Sequence, residues 1–176
     1  MPQLIRHRTI VDDPWTLLRD ATSLAELSDG APVIVPLSLW LARRAALIAR
    51  GEAGVWLAPH EDPQALAPDV ARLPLIAVDF PQFTDGRGYS HARLLRQRYH
   101  YTGELRAIGD VQRDQLYFLG QCGFDAFAIP DGQDAARALR GLDDFSDGYQ
   151  ASAARKPRFA NAARWERPRN ACSTDG

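Results

Sequence analysis

From about Pro32 onward the chain alternates short apolar runs of branched residues with longer amphipathic stretches, and Gly, Pro or Asp stands at most of the junctions. Strand and helix in turn require crossover connections, so this alternation predicts an α/β layered fold with a mostly parallel sheet. The strand candidates are Pro32–Pro36 (PVIVP), Gly54–Ala58 (GVWLA), Leu75–Asp79 (LIAVD), Glu104–Ile108 (ELRAI) and Ala126–Ile129 (AFAI). They are apolar almost throughout, as strands covered on both faces must be. Helices are expected at Leu37–Arg50, Pro63–Ala71, Ser90–Tyr99, Val111–Gln121 and Gln133–Leu142. The Val111 helix has the clearest signals. Asp110 is a candidate N-cap, Val111, Gln115, Phe118, Leu119 and Cys122 fall near one face, and Gly123 stands at its C-terminal stop. The pattern implies about five strands, in an open sheet or a partial barrel.

A chain of 176 residues has room for one well-buried core, assigned to residues 1–150. Leu4–Val11 (LIRHRTIV) is a candidate edge strand, and Asp12–Asp29 is read as a turn and a short helix around Trp15, Leu17, Leu18, Leu24 and Leu27. After Tyr149 the pattern changes. Residues 151–176 carry Arg155, Lys156, Arg158, Arg164, Arg167 and Arg169 against Glu166 and Asp175, which reads as a disordered basic tail. The tail sums to +4, so within the total of −1 the domain before it is acidic, at −5.

Composition excludes several classes. No apolar run approaches the roughly 20 residues of a membrane-spanning helix, and the near-zero net charge supplies no electrostatic reason for nucleic acid or an anionic bilayer as partner. Met1–Trp15 lacks the apolar core and cleavage site of a secretory signal, so a cytoplasmic location is expected. Cys122 and Cys172 are the only cysteines, too few for a CxxC pair or a four-thiolate cluster within one chain. Cys122 reads as a buried small hydrophobe. No G-x-G-x-x-G fingerprint occurs, and no cofactor is indicated.

Ligands of α/β folds sit beyond the carboxyl ends of the strands. That rule singles out Asp79–Tyr89 (DFPQFTDGRGY), in which Gly86 and Gly88 flank Arg87 between two carboxylates, Asp79 and Asp85. An arginine between glycines can offer a two-pronged donor to an oxyanion; alternatively Asp85 caps a tight turn and pairs with Arg87. Arg87, Arg106 and Arg113 together are the candidate anion site, with Asp79 or Asp85 as base or orienting group and Asp110 and Asp114 nearby in sequence. An ion-pair network at the sheet rim is the competing reading. His60, Glu61 and Asp62 offer metal-type donors, but consecutive residues do not generally converge on one ion, so no metal site is assigned. His91, beside Ser90, reads as a solvated residue at a helix start.

The stretches DFPQFTDGRGYSHARLLRQRY, GELRAIGDVQRDQLYFL and CGFDAF, within Asp79–Phe127, resemble the signature region of a proteobacterial family, domain of unknown function 934, described as probable oxidoreductases. Its members are typically encoded beside the sulfite reductase hemoprotein. The resemblance therefore implies a part in assimilatory sulfate and sulfite reduction, with that reductase as partner. It transfers no catalytic residue. Missing cluster cysteines and a missing nucleotide fingerprint point to an accessory role. A small α/β enzyme or sensor of an anionic metabolite is the alternative, and direct redox work with a bound flavin or NADPH is a third.

Overall fold

The computed structural model describes residues 3–23, 25, 30–130 and 132–143. The basic segment 151–176 lies outside them. Eight strands form one sheet: β1 Gln3–Arg6, β2 Thr9–Val11, β3 Thr16–Leu17, β4 Val33–Pro36, β5 Ala53–Leu57, β6 Leu75–Phe80, β7 Glu104–Gly109 and β8 Ala126–Ile129. Their spatial order is β2-β1-β8-β7-β6-β5-β4-β3. From β3 to β8 every neighbouring pair is parallel, while β1 runs antiparallel to both β8 and β2. All five predicted strands are present within a residue or so of their expected limits. The sheet is larger because residues 3–17 add three more strands. Leu4–Val11 folds back on itself at His7 and Arg8 as a hairpin instead of one edge strand, and Thr16–Leu17 is a strand where a short helix was expected.

Between the parallel strands lie α1 Leu37–Arg50, α2 Arg87–Arg93 and α3 Leu116–Cys122, and α4 Ala135–Arg140 follows β8. A π-helical turn, Leu94–Arg98, continues α2. The expected Pro63 helix is a short 3-10 turn, Pro63–Leu66, capped by the Asp62 side chain. Successive parallel strands are neighbours in sequence order, and crossovers of one hand then put every helix on one face. The core agrees: Val33, Val35, Val55, Ile76, Val78, Phe80, Leu105 and Phe127 pack in one cluster with residues of all four helices. The alternate positions, Ile34, Leu75, Ala77 and Ile108, form a second, smaller cluster with no helical member, covered by Trp15, Leu17 and Trp56.

The sheet curls into a half-barrel around this second cluster. The chain itself demands it. β2 and β3 stand at opposite edges, seven strand spacings apart, or roughly 34 Å if the sheet were flat. The link between them, Asp12–Trp15, can span only about 17 Å when fully extended. The edges must therefore approach each other, and the link crosses the helix-free face as a strap.

Around α3 the local structure departs from the sequence pattern. Asp110 does not cap the helix. A 3-10 turn, Arg113–Gln115, intervenes, and Gln112 and Gln115 form a reciprocal capping box at its start. Phe118 is 52% exposed, while Leu116 and Tyr117 are buried in its place. Gly123 ends the helix at φ 113, as expected, and Cys122 is buried.

Candidate functional site

Asp79 is the penultimate residue of β6, and alternation along the strand puts its side chain on the helix-free face with Leu75 and Ala77. It is 6% exposed. Its Oδ1 accepts a hydrogen bond from Arg19 Nη2 at 2.9 Å. Arg19 lies two residues beyond β3, so both groups stand at the carboxyl ends of their strands. Gly109 completes this corner. At φ 92 it takes a backbone conformation that side chains avoid, and a Cβ there would lie 2.8 Å from Asp79 Oδ1.

The guanidinium of Arg19 also lies over the Trp56 ring of β5, 5.7 Å from its centroid. Trp56 Nε1 in turn donates to the Leu18 carbonyl at 3.1 Å, which fixes the strap to the sheet. Arg19 is thus held from two sides while its side chain stays 44% exposed. A guanidinium has five N–H donors. One of them reaches Asp79.

Arg106 lies deeper and toward the amino ends of the strands, opposite Ala77 in register. Only 1% exposed, it donates from Nη1 to Asp13 Oδ2 at 2.7 Å and from Nε to Glu104 Oε1 at 2.8 Å. Arg6 reaches the second oxygen of Glu104 at 3.5 Å. Two cations and two carboxylates thus balance inside the curl. Asp13 ties the strap to the middle of the sheet, just as Arg19 ties the segment beyond β3 to Asp79.

The loop after β6 is built differently again. Asp85 accepts from Arg87 three times, from its backbone N at 3.1 Å, Nε at 3.0 Å and Nη2 at 2.6 Å. Those hydrogen bonds pull the Asp85 carboxyl down to about 2. Gly86 takes an ordinary φ of −79, and Gly88 is required by packing, since a Cβ there would sit 2.5 Å from the Phe80 ring. Asp110 binds this loop to the start of α3 by accepting from the Phe83 backbone N at 3.0 Å and from the Gln112 side chain. Gln115 Nε2 donates to the Phe83 carbonyl at 2.6 Å. Asp114 is exposed in the same turn, and Arg113 packs its backbone and side chain against Gly141.

The structure thus places Arg87, Arg106 and Arg113 in three settings: a surface turn, the barrel interior, and the junction of the α3 turn with Gly141. His60 is exposed after β5, Glu61 accepts from the Ala58 backbone N at 2.7 Å, and Asp62 caps the following turn. Among the described residues no group of three or more His, Cys, Asp or Glu could hold a metal ion. His91 is not solvated; it is 9% exposed, and burial is the first cause of its lowered pKa.

Sequence reasoning missed Arg19, Asp13 and Trp56. Their signal was present but local: a tryptophan inside an otherwise aliphatic strand, and acidic and basic residues bracketing the apolar Trp15–Leu18. Nothing in the spacing says that this segment crosses the sheet.

Fold and site together define a singly wound α/β half-barrel with a polar mouth at the carboxyl ends of its strands. Residues 54–159 match the family described as bacterial protein of unknown function, DUF934, and the chain belongs to that family. The matched span holds Trp56, Asp79 and Arg106; Asp13 and Arg19 precede it. No curated protein matches the chain. Among the described residues no helix is long and apolar enough to cross a membrane.

Proposed function

We propose that this protein is an accessory component of assimilatory sulfite reduction, working with the sulfite reductase hemoprotein, and that it binds a small oxyanion at the carboxyl mouth of its half-barrel. The pathway rests on the family resemblance. The ligand class rests on one observation, the half-exposed Arg19 guanidinium fixed by Asp79 and Trp56 at the mouth. A cation already oriented by a buried carboxylate and an aromatic face loses little side-chain freedom on binding, so its remaining donors are well placed for sulfite or sulfate oxygens. Asp79 then acts as the orienting group. The same mouth would equally serve a small enzyme or sensor of another anionic metabolite.

Two experiments test the two parts. Thermal melting of the full chain with sulfite, in anoxic buffer, and with sulfate should show a rise of about 5–10 °C when the anion exceeds its Kd a hundredfold. Arg19→Ala should abolish that rise; a variant that keeps it, or a wild type that shows none, removes the oxyanion site. Deleting the gene and growing the strain on sulfate, sulfite or cysteine tests the pathway. Rescue by cysteine alone, with co-purification of the reductase, is the expected result. Unaltered growth on sulfate, combined with anion binding, would favour the metabolite enzyme or sensor.

A further inference from the structure

Asp79 is served on one oxygen only. Its Oδ1 accepts from Arg19 Nη2 at 2.9 Å and lies on the side where a Cβ at Gly109 would press, 2.8 Å away. Its Oδ2 accepts from none of the described residues. The donors that follow it in sequence are engaged elsewhere, Arg87 on Asp85, and the Phe83 amide and the Gln112 side chain on Asp110. A carboxylate has acceptor sites on both oxygens, and one buried this deeply ordinarily has donors on both. With 9% of its side-chain surface exposed, Asp79 is nearly withdrawn from water, and an acceptor left unserved in that state is costly.

This open acceptor stands beside Arg19. The two oxygens of Asp79 share one carbon, so Oδ2 lies within a few ångströms of the guanidinium, inside the span of one tetrahedral anion. An anion whose oxygens carry only lone pairs would set one of them against Oδ2 and be repelled. An anion with an O–H would instead donate to it. Arg19 and Asp79 cancel in charge, which leaves the proton as the feature that distinguishes anions of equal charge and shape.

We propose that the mouth selects small oxyanions that carry their own proton, such as hydrogen phosphate or hydrogen sulfite, over fully deprotonated ones such as sulfate. An ionised ligand oxygen accepts from Arg19 while the ligand O–H donates to Asp79 Oδ2, so the carboxylate filters the ligand as well as holding the guanidinium. This selection rests on the reading of the mouth as an oxyanion site. Sites built to pair with a ligand O–H reject analogues that lack it far more strongly than apolar pockets reject a change of size.

Phosphate and sulfate are the probes, titrated into the full chain by calorimetry at pH 8 and matched ionic strength. Hydrogen phosphate and sulfate then share shape and charge and differ by one proton. Phosphate should bind about tenfold more tightly or better. Equal affinities, or tighter sulfate, would overturn the selection and leave the oxyanion site standing, whereas binding of neither anion overturns both. Sulfite in anoxic buffer gives a check that needs no variant, because it loses its last proton between pH 6 and 8. Its affinity should fall by about fivefold or more over that range while that of sulfate changes by less than about twofold; parallel pH dependences would overturn the selection. Asp79→Asn keeps the outline of the side chain and supplies an amide that can donate. In that variant, folded as judged by circular dichroism, phosphate and sulfate should bind within about twofold of each other, and a retained tenfold preference would equally overturn the proposal.

Discussion

Arg106 shows how little residue type alone says about role. Its position in an apolar strand marked it as a candidate anion ligand, yet the fold supplies both of its carboxylate partners, one from ninety-three residues earlier. A buried ion pair is costly chiefly when one partner is removed. Arg106→Met should therefore destabilise the protein by about 3–5 kcal/mol in urea unfolding, whereas the triple change with Asp13→Asn and Glu104→Gln should recover most of that loss. Tyr101 offers a pH test at the same scale. Burial raises its phenol pKa well above the ordinary 10, and its hydroxyl donates to the Glu104 carbonyl at 3.1 Å. Above pH 10 the unfolded chain releases this proton and the folded chain keeps it, so the unfolded state binds fewer protons and stability must fall as pH rises. Tyr101→Phe should cost about 1 kcal/mol at neutral pH and flatten that alkaline loss, as read from denaturation midpoints between pH 8 and 11.

At the scale of elements, the helices and parallel strands were legible because each is a local pattern of adequate length. α1 begins and ends where its period and Gly51 place it. The short elements were not, since two or three residues carry no periodicity. The segment after α2 illustrates a tertiary override. Ser90–Tyr99 reads as one helix, but the chain widens into a π turn at Leu94–Arg98. From that turn Arg96 donates to the carbonyls of Gly123, Tyr101 and Gly103 and pairs with Asp125. One side chain thus joins the end of α2 to the starts of β7 and β8. Arg96→Lys keeps the charge but cannot reproduce that fork. It should lose roughly 2–4 kcal/mol of stability, measured by urea midpoint, and amide exchange should quicken first around residues 99–105 and 123–125.

For the whole molecule, the decisive segment lies outside the family match. Residues 54–159 hold four of the parallel strands, but the strap, β1, β3 and β4 supply Trp15, Ile5, Leu17 and Ile34 to the two clusters, and the strap supplies Asp13 to Arg106. Expressed alone, residues 54–159 should lack cooperative unfolding and dispersed amide signals; a well-dispersed spectrum would show that the strap is dispensable. The sequence by itself determined the α/β class, five parallel strands and the limits of α1, because hydrophobic period, glycine stops and apolar runs are local properties that the backbone must satisfy wherever the segment lies. It also marked Asp79 as a polar residue at a strand's carboxyl end. Only the tertiary structure decided that the sheet curls, that residues 12–15 cross its open face, and that Asp79 is partnered by Arg19 while Arg106 is balanced by Asp13 and Glu104. Those pairings join residues up to ninety-three apart, and curvature depends on how seven strand spacings are closed by a four-residue link, which no window along the chain contains.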